Sequence, residues 1–254
     1  MSAPKPAFLT AKWNNLIMLN YEVDPDILKP YLPPFTELDL WQGKVLVSMV
    51  GFLFRDTRVK GIRWPLHINF EEVNLRFYVR HFDGEEWKRG AVFVSEIVPK
   101  PLIVTIANTL FKEHYSAMPM RHSINQLSGN QTKYLYEWKF DGRWGNKLGG
   151  IVPDKLSPIT SGSQEEFIFE HYWGYNKASK KTTIEYQVEH ITWNVGQVID
   201  PVFEGEISRL YGKKFAPFLS VKPYSAFFAD GSDVIVRAGT KIRFAPKLPE
   251  LPVL

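Results

Sequence analysis

The stretch NFEEVNLRFYVR, residues 69–80, alternates apolar and polar side chains almost without a break, and it decides our interpretation of the fold. Such alternation is typical of a β-strand, because successive side chains of a strand point to opposite faces of the sheet. One predicted face is apolar and carries Val73, Leu75, Phe77 and Val79. The other face is polar, with charges of both signs, and carries Glu72, Asn74, Arg76, Tyr78 and Arg80.

A second apolar run, Ala91 to Val98, follows after Asp83-Gly84, a pair that favours the positive φ angles of a tight hairpin turn. If the turn has two central residues, Glu71 lies opposite Glu96 on the apolar face. Like charges opposite each other are unfavourable, and partial burial would raise the pKa of at least one carboxyl. Two alternatives stay open. A longer loop, from Phe82 to Lys88, would shift the register by two residues and separate the pair, and a basic side chain would neutralise both carboxylates.

Composition sets the class of protein. The 254 residues are 44% hydrophobic and 15% aromatic, which predicts a folded single domain over residues 1–254. No apolar run reaches the roughly 18 residues of a membrane span, and the N-terminus lacks a basic region before an apolar core, so we expect a cytoplasmic address and no membrane partner. The chain has no cysteine, which excludes disulfides and thiolate chemistry. The net charge is +4, but acidic residues are interleaved with the basic ones, which argues against nucleic-acid binding.

The remaining periodicity predicts an α+β fold. Lys44 to Phe54 is apolar on both faces and is predicted to be a central strand, whereas Arg55 to His67 lacks periodicity and is interpreted as a loop. Further strands are predicted at Lys12 to Val23, Glu37 to Trp41, Thr132 to Phe140, Thr182 to His190, Tyr224 to Asp230 and Val234 to Phe244. Glu37 to Trp41 is predicted to form a hairpin with Lys44 to Phe54 around Gln42-Gly43, and the last two strands are predicted to meet at a turn at Asp230-Gly231. Helices are predicted after Asp24-Pro25, over Pro101 to Phe111, over Phe167 to Trp173 behind the capping box Ser163 to Glu166, and over Pro201 to Leu210. Hairpin-linked strands with both faces apolar favour a strongly curved antiparallel β-barrel with a few short peripheral helices.

Several site types find no support in the sequence. The six histidines do not pair with carboxylates at the spacing of zinc sites, so no metal is expected. The chain also lacks the Gly-x-Ser-x-Gly turn of serine hydrolases and the lysine-serine ending of a phosphate loop. The segment Glu170 to Tyr175 holds four ring-bearing side chains and a carboxylate, and two interpretations stay open for it: core packing, or one wall of a ligand site.

A resemblance adds to this interpretation. The run Asn69 to Arg80, the segment Ser95 to Lys100, Tyr115 with Met118, and the segment Glu170 to Gly174 resemble the uncharacterised YqjF-like family of bacterial proteins, over most of the chain. That family is similar to acetoacetate decarboxylase at the superfamily level, which implies a curved antiparallel barrel around a central cavity.

The same resemblance bears on catalysis. The decarboxylase forms a Schiff base through a lysine that lies beside a second lysine, in a turn after a small helix. At the matching positions this chain has Tyr115 and Ser116, with Lys112 three residues earlier at a helix end, and the arginine of the decarboxylase falls near Asn14. The resemblance therefore implies that the Schiff-base lysine is absent.

We therefore predict a protein that encloses a small organic molecule, bearing a carboxylate or a carbonyl, in a barrel cavity. Without cofactor or metal, an enzyme of this type would be a proton-transfer catalyst such as a lyase or an isomerase. Glu96 is predicted to donate or accept the proton and Tyr115 to donate to a developing oxyanion, while Arg76 would hold a carboxylate. The predicted ligand-binding residues are Asn74, Arg76, Glu170, Tyr172 and Trp173. The alternative is a non-catalytic binding or structural protein, and formation of a homo-oligomer is left open.

Overall fold

A computed structural model describes residues 5–244. The helices are a 3-10 turn at Pro25–Ile27, α1 at Pro101–Leu110, α2 at Gln164–Phe169, α3 at Ile207–Leu210 and α4 at Ala216–Leu219. The strands are β1 Ala7–Glu22, β2 Glu37–Leu38, β3 Leu46–Val59, β4 Phe70–Phe82, β5 Trp87–Val98, β6 Tyr115–Ala117, β7 Met120–Leu127, β8 Gln131–Phe140, β9 Arg143–Pro153, β10 Ser157–Pro158, β11 Trp173–Ser179, β12 Thr182–Glu189, β13 Asn194–Gln197, β14 Ile199–Glu204, β15 Ser225–Arg237 and β16 Thr240–Ile242. None of the helices in residues 5–244 is long and apolar enough to cross a membrane.

The larger sheet contains twelve strands, and its central order is β15-β1-β3-β4-β5-β11-β12. Strand β12 then pairs with β15, where Val188 lies opposite Val236, so the path of strand pairings returns to its beginning. All neighbours on this path are antiparallel except β5 and β11. The predicted fold of mostly antiparallel sheet with few short helices is confirmed.

A second sheet, in the order β14-β9-β8-β7, covers one face of the larger sheet. The odd-numbered residues of β4, from Val73 to Val79, belong to the same buried cluster as Tyr136, Trp138 and Leu148 of the second sheet. The two sheets approach closely at Gly51, where a Cβ atom would lie 2.8 Å from the Tyr136 ring. The alternation in residues 69–80 thus reflects packing between two sheets on the apolar side.

The opposite face of the larger sheet packs on α2. Phe167, Ile168 and Phe169 of α2 share a second buried cluster with Val50, Phe52, Phe54 and Tyr78 of the sheet. The hydroxyl of Ser163 accepts the Glu166 backbone N–H at 3.2 Å, as the capping box predicts. The helix ends at Phe169, however, and Trp173 begins β11, so the prediction of helix through Trp173 is wrong.

Other predicted elements also need correction. Pro201 lies in β14, an edge strand, where a proline without an N–H group is tolerated, and helix α3 covers only Ile207–Leu210. Residues Glu37 and Leu38 pair with Arg80 and Val79 of β4 and not with β3. Of the predicted hairpin, only the turn around Gln42-Gly43 forms, where Trp41 and Lys44 make an isolated antiparallel bridge.

The predicted turn at Asp230-Gly231 and the predicted loop between β3 and β4 also differ from the structure. Strand β15 continues through this point. Gly231 has φ +88°, and a Cβ there would meet the Trp13 carbonyl oxygen, so both the backbone angle and the close contact require glycine. The first five residues of the predicted loop from Arg55 to His67 are strand, since β3 runs on to Val59.

Candidate functional site

A β-bulge in the β4–β5 hairpin sets the geometry of the site. Phe82 lies opposite Trp87, so the hairpin loop has four residues, which matches the longer-loop alternative. Farther along, Val94 is an extra residue on β5, and the register moves by one between Arg76 and Leu75. Because a shift of one residue exchanges the two faces of a strand, Glu96 lies opposite Asn74 on the polar face.

The pairing of Glu71 with Glu96, which required a turn of two residues, therefore does not form. Glu71 lies on the other face of β4, where its carboxylate contacts His122 Nδ1 of the second sheet at 2.6 Å. The partner that Glu96 finds on its own face is Glu72, one diagonal step away across the strands. The bulge thus creates a carboxyl pair from residues that a regular hairpin would separate.

Three glutamates form a buried cluster: Glu72 is 3% exposed, Glu96 2% and Glu113 9%. Glu72 accepts one hydrogen bond from the Tyr115 hydroxyl at 2.9 Å and one from the Asn74 amide at 2.8 Å. Glu113, in the segment between α1 and β6, accepts a hydrogen bond from the Tyr186 hydroxyl at 2.7 Å. Burial of three carboxyls together is costly when all are ionised, which favours protonation of some of them.

The proton affinities of the cluster follow from this burial. Burial raises the pKa of Glu72 to about 7, and the hydrogen bonds from Asn74 and Tyr115 limit that increase. Burial, followed by repulsion from Glu113 and Glu72, raises the pKa of Glu96 well above its ordinary value. Burial also raises the pKa of Glu113. The cluster therefore holds carboxyls whose pKa values lie above the ordinary range, with that of Glu72 at about 7, and such carboxyls are suited to acid–base chemistry.

The cluster opens on a cavity of about 130 Å³. Its apolar lining includes Phe52, Phe54, Phe70, Phe93 and Phe111, together with Ile103, Ile106 and Ala107 of α1. Its polar lining consists of Glu72, Asn74, Arg76, Glu96, Glu113, Tyr115, His171 and Tyr186. A cavity of about 150 Å³ in a protein interior can bind a molecule the size of benzene, so this one suits a small organic ligand.

Arg76 is the cationic group among the residues that line the cavity. Its Nη2 atom donates to the Ile168 carbonyl oxygen at 3.3 Å, and its guanidinium lies 5.5 Å from the centre of the Tyr78 ring. Within residues 5–244 it makes no ion pair with a carboxylate, and its buried Nε atom has no hydrogen-bond partner. A half-buried arginine with an unused, buried Nε donor can bind a carboxylate or a carbonyl oxygen.

Tyr115 is held at the site through its backbone. The side chain of Asn108, in α1, accepts the Tyr115 N–H at 2.9 Å and donates to the Tyr115 carbonyl oxygen at 3.0 Å. Strand β6 also pairs in parallel with β5, which sets Tyr115 beside Glu96. Helix α1 and strand β5 together fix where the tyrosine hydroxyl lies.

The structure brings five of the seven predicted site residues to the cavity: Asn74, Arg76, Glu96, Tyr115 and Trp173. The other two, Glu170 and Tyr172, are absent from its lining. They lie in the segment after α2, where the Tyr172 hydroxyl donates to the Glu170 carboxylate and the Tyr172 ring packs on His190 at 4.7 Å. Lys112 is exposed to solvent and does not line the cavity.

Four polar residues of the cavity were missed as candidates: Glu72, Glu113, His171 and Tyr186. A signal existed for Glu72, which shares the polar face of β4 with Asn74 and Arg76. No periodic signal existed for Glu113 or His171, which lie between regular elements. Among residues 5–244, no group of three or more histidine, aspartate and glutamate side chains is arranged to hold a metal ion.

Comparison with solved structures places the fold. Acetoacetate decarboxylase from Legionella pneumophila superposes with a TM-score of 0.63 at 14% identity, over 95% of this chain and 90% of that chain. The enduracididine biosynthesis enzyme MppR with HEPES buffer bound superposes with a TM-score of 0.66 at 12% identity, over 96% of this chain and 89% of that chain. The chain therefore has an acetoacetate decarboxylase-like fold.

The sequence itself identifies the family. The family model DUF2071, described as an uncharacterized conserved protein, matches residues 10–233, and the chain belongs to this family. The uncharacterized protein YqjF of Bacillus subtilis (strain 168) is 30% identical over 130 residues, and the alignment spans about half of its length. The predicted resemblance to YqjF-like proteins is confirmed, and the predicted resemblance to acetoacetate decarboxylase is confirmed at the level of the fold.

Proposed function

We propose that this protein binds a small carboxylate- or carbonyl-bearing molecule in the cavity and catalyses proton transfer on it without a cofactor. In this proposal the closed circuit of strands is the wall of a barrel around the ligand. One observation carries the proposal: buried polar atoms without hydrogen-bond partners in residues 5–244 converge on one apolar cavity. They are Asn74 Oδ1, Arg76 Nε and His171 Nδ1, and they lie beside the carboxyls of Glu96 and Glu113, which hydrogen-bond to each other.

Unpartnered buried polar atoms are rare in native proteins, because each one costs about 1–3 kcal/mol when it is left unsatisfied. Their concentration around one cavity is expected when a ligand supplies the missing partners. Arg76 would bind the carboxylate of the ligand, with the reacting carbon beside the carboxyl cluster.

The two carboxyls nearest Tyr115 receive different roles. Glu72, with a pKa of about 7, is the base that takes a proton from a carbon next to the carbonyl. Once Glu72 is protonated, it accepts less strongly from the Tyr115 hydroxyl, which can then donate to the oxyanion that forms on the carbonyl. Glu96, whose pKa is raised well above the ordinary value, is the acid that returns a proton.

The structural relatives suggest a first ligand. MppR has been seen complexed with pyruvate, and that complex superposes on this chain with a TM-score of 0.65 at 12% identity. Pyruvate has as many non-hydrogen atoms as benzene, so its size suits the cavity. It also carries both groups that the proposal requires, a carboxylate and a carbonyl.

The test is exchange of the pyruvate methyl protons in D₂O, followed by proton NMR. The protein is expected to accelerate the exchange, and Glu72→Gln is expected to slow the catalysed rate about 10²- to 10⁴-fold. The matched control is Glu204→Gln, which changes an exposed glutamate that pairs with Lys147 outside the cavity. Equal catalysed rates in Glu72→Gln and the wild type would refute the role of Glu72. Binding of pyruvate without exchange would favour the alternative, a binding protein without turnover.

A further inference from the structure

A second polar group borders the cavity, at a distance from the carboxyl cluster along the chain. His171 follows α2, lines the cavity and has a side chain only 2% exposed. Its Nε2 atom lies 3.2 Å from Asp39 Oδ2, and Arg89 Nε donates to the same oxygen at 2.6 Å. The order Arg89, Asp39, His171 forms a connected chain of charge-assisted hydrogen bonds that ends at the cavity.

The hydrogen bonds from Arg89 through Asp39 to His171 determine which nitrogen of His171 carries the proton. Burial alone would raise the pKa of Asp39, but hydrogen bonds from His171 and Arg89 lower this pKa below its ordinary value. Asp39 is therefore an ionised acceptor. Burial lowers the pKa of His171 to about 4, so its imidazole is neutral and has one N–H group. That N–H must be on Nε2, because a carboxylate can only accept. Nδ1 therefore presents a lone pair.

No group in the described part of the chain donates a hydrogen bond to this lone pair. His171 Nδ1 is buried and finds no hydrogen-bond partner in residues 5–244. The imidazole is also held in place, since its ring packs 4.6 Å from the Tyr78 ring and 5.4 Å from the Phe167 ring. An oriented acceptor of this kind is suited to a ligand group that can donate a hydrogen bond.

The neighbour of this acceptor is Arg76. Both side chains pack against the Tyr78 ring, His171 at 4.6 Å and the Arg76 guanidinium at 5.5 Å. The cavity thus offers a cationic donor and a neutral acceptor that share one aromatic neighbour, Tyr78. A carboxylate next to a hydroxyl group is complementary to such a pair.

We propose that His171 Nδ1 accepts a hydrogen bond from a hydroxyl group of the ligand, so that the site selects 2-hydroxy carboxylates and the enol form of 2-oxo carboxylates. This inference rests on the proposed function, since it assumes that Arg76 binds the carboxylate. It adds a specificity residue that contacts the ligand. For proton transfer on a 2-oxo acid, the same contact would favour the enol over the ketone.

The test compares two acids that differ only in the hydroxyl, lactate and propionate, by calorimetric titration. The wild type is expected to bind lactate about tenfold more tightly than propionate, because one good hydrogen bond to a buried acceptor contributes about this much to affinity. In His171→Phe the ratio should fall to about one, because the acceptor is gone. His81→Phe is the matched control: His81 is a buried histidine that contacts the Phe35 carbonyl oxygen and does not line the cavity, so the ratio should stay near ten.

The outcomes separate the two proposals. If the wild type binds both acids equally, or if His171→Phe keeps the preference, the role of His171 is refuted and carboxylate binding stands. If the wild type binds neither acid, the proposed function fails and this inference fails with it.

A second measurement needs no variant. In nitrogen-15 NMR of the wild type, His171 should show a protonated Nε2 and an unprotonated Nδ1, and lactate should shift the Nδ1 resonance whereas propionate should not. A protonated Nδ1, or a resonance that lactate leaves unmoved, would overturn the inference.

Discussion

Replacement of Glu72 by glutamine should change how the stability of the protein depends on pH. In the folded protein burial raises the pKa of Glu72 to about 7, against an ordinary value of 4.5. A carboxyl whose folded-state pKa is raised stabilises the fold fully at pH values below its unfolded pKa, and this stability is lost as the pH rises through the folded pKa. The free energy of unfolding therefore begins to fall near pH 4.5 and levels off above pH 7, and the total loss is about 3 kcal/mol.

The glutamine variant removes this ionisation and keeps the shape of the side chain. Its amide oxygen can accept from Asn74, which donates to Glu72 Oε1 at 2.8 Å, and its amide N–H can donate to the Tyr115 hydroxyl, which lies 2.9 Å from Glu72 Oε2. We therefore expect Glu72→Gln to match the wild type at pH 5 within about 1 kcal/mol and to be more stable by about 3 kcal/mol at pH 8.

The assay is urea unfolding of both proteins between pH 5 and pH 8, with Glu204→Gln as the control for loss of an exposed carboxyl. The free energy of unfolding of the control should follow that of the wild type at every pH. If the curve for Glu72→Gln also runs parallel to the wild-type curve, Glu72 titrates as an ordinary carboxyl, and the buried cluster does not perturb it as we infer.

Further predictions concern the site and the sheet contact. The catalysed exchange rate of pyruvate protons should rise with pH through about 7 and then level off, because Glu72 acts as a base only when ionised; a rate independent of pH from 5 to 9 would contradict this. Arg76→Met should weaken carboxylate binding, measured by calorimetry, about 10- to 100-fold, since a hydrogen bond to a charged group is lost. An unchanged affinity would show that Arg76 does not bind the carboxylate. Asn108→Ala should lower the exchange rate and reduce the free energy of unfolding in urea by only about 1 kcal/mol, because it frees the backbone of Tyr115. Full activity would show that the hydrogen bonds from Asn108 to Tyr115 are dispensable. Gly51→Ala should cost about 1–3 kcal/mol, because the added Cβ would lie 2.8 Å from the Tyr136 ring, and an unchanged urea midpoint would disprove the close packing of the two sheets.

Much of the fold could be predicted from local patterns. Alternation over residues 69–80 correctly divides β4 into a face that packs on the second sheet and a face that borders the cavity. The cap at Ser163 and the strand at Thr132 to Phe140 also follow from short-range signals. These features depend on neighbours in the sequence, so the sequence records them directly.

Features that depend on distant contacts could not be predicted in this way. The bulge at Val94 leaves no mark in the alternation of β5, yet it moves Glu96 to the cavity face. The pairing of β2 with β4 is chosen by tertiary packing over the hairpin that proximity favours. Glu113 and His171 reach the cavity from irregular segments, whose direction has no periodicity to reveal it.

The two faces of β4 have separate roles, and this separation has an evolutionary consequence. Odd-numbered positions from 73 to 79 are constrained by the second sheet, whereas even-numbered positions from 72 to 76 face the cavity. Descendants of one ancestor could therefore exchange the cavity-facing residues, and with them the molecule that is recognised, while the contact between the sheets stays intact. Diversification of chemistry on this scaffold would then appear as a period-two pattern of variable and invariant columns along a single strand.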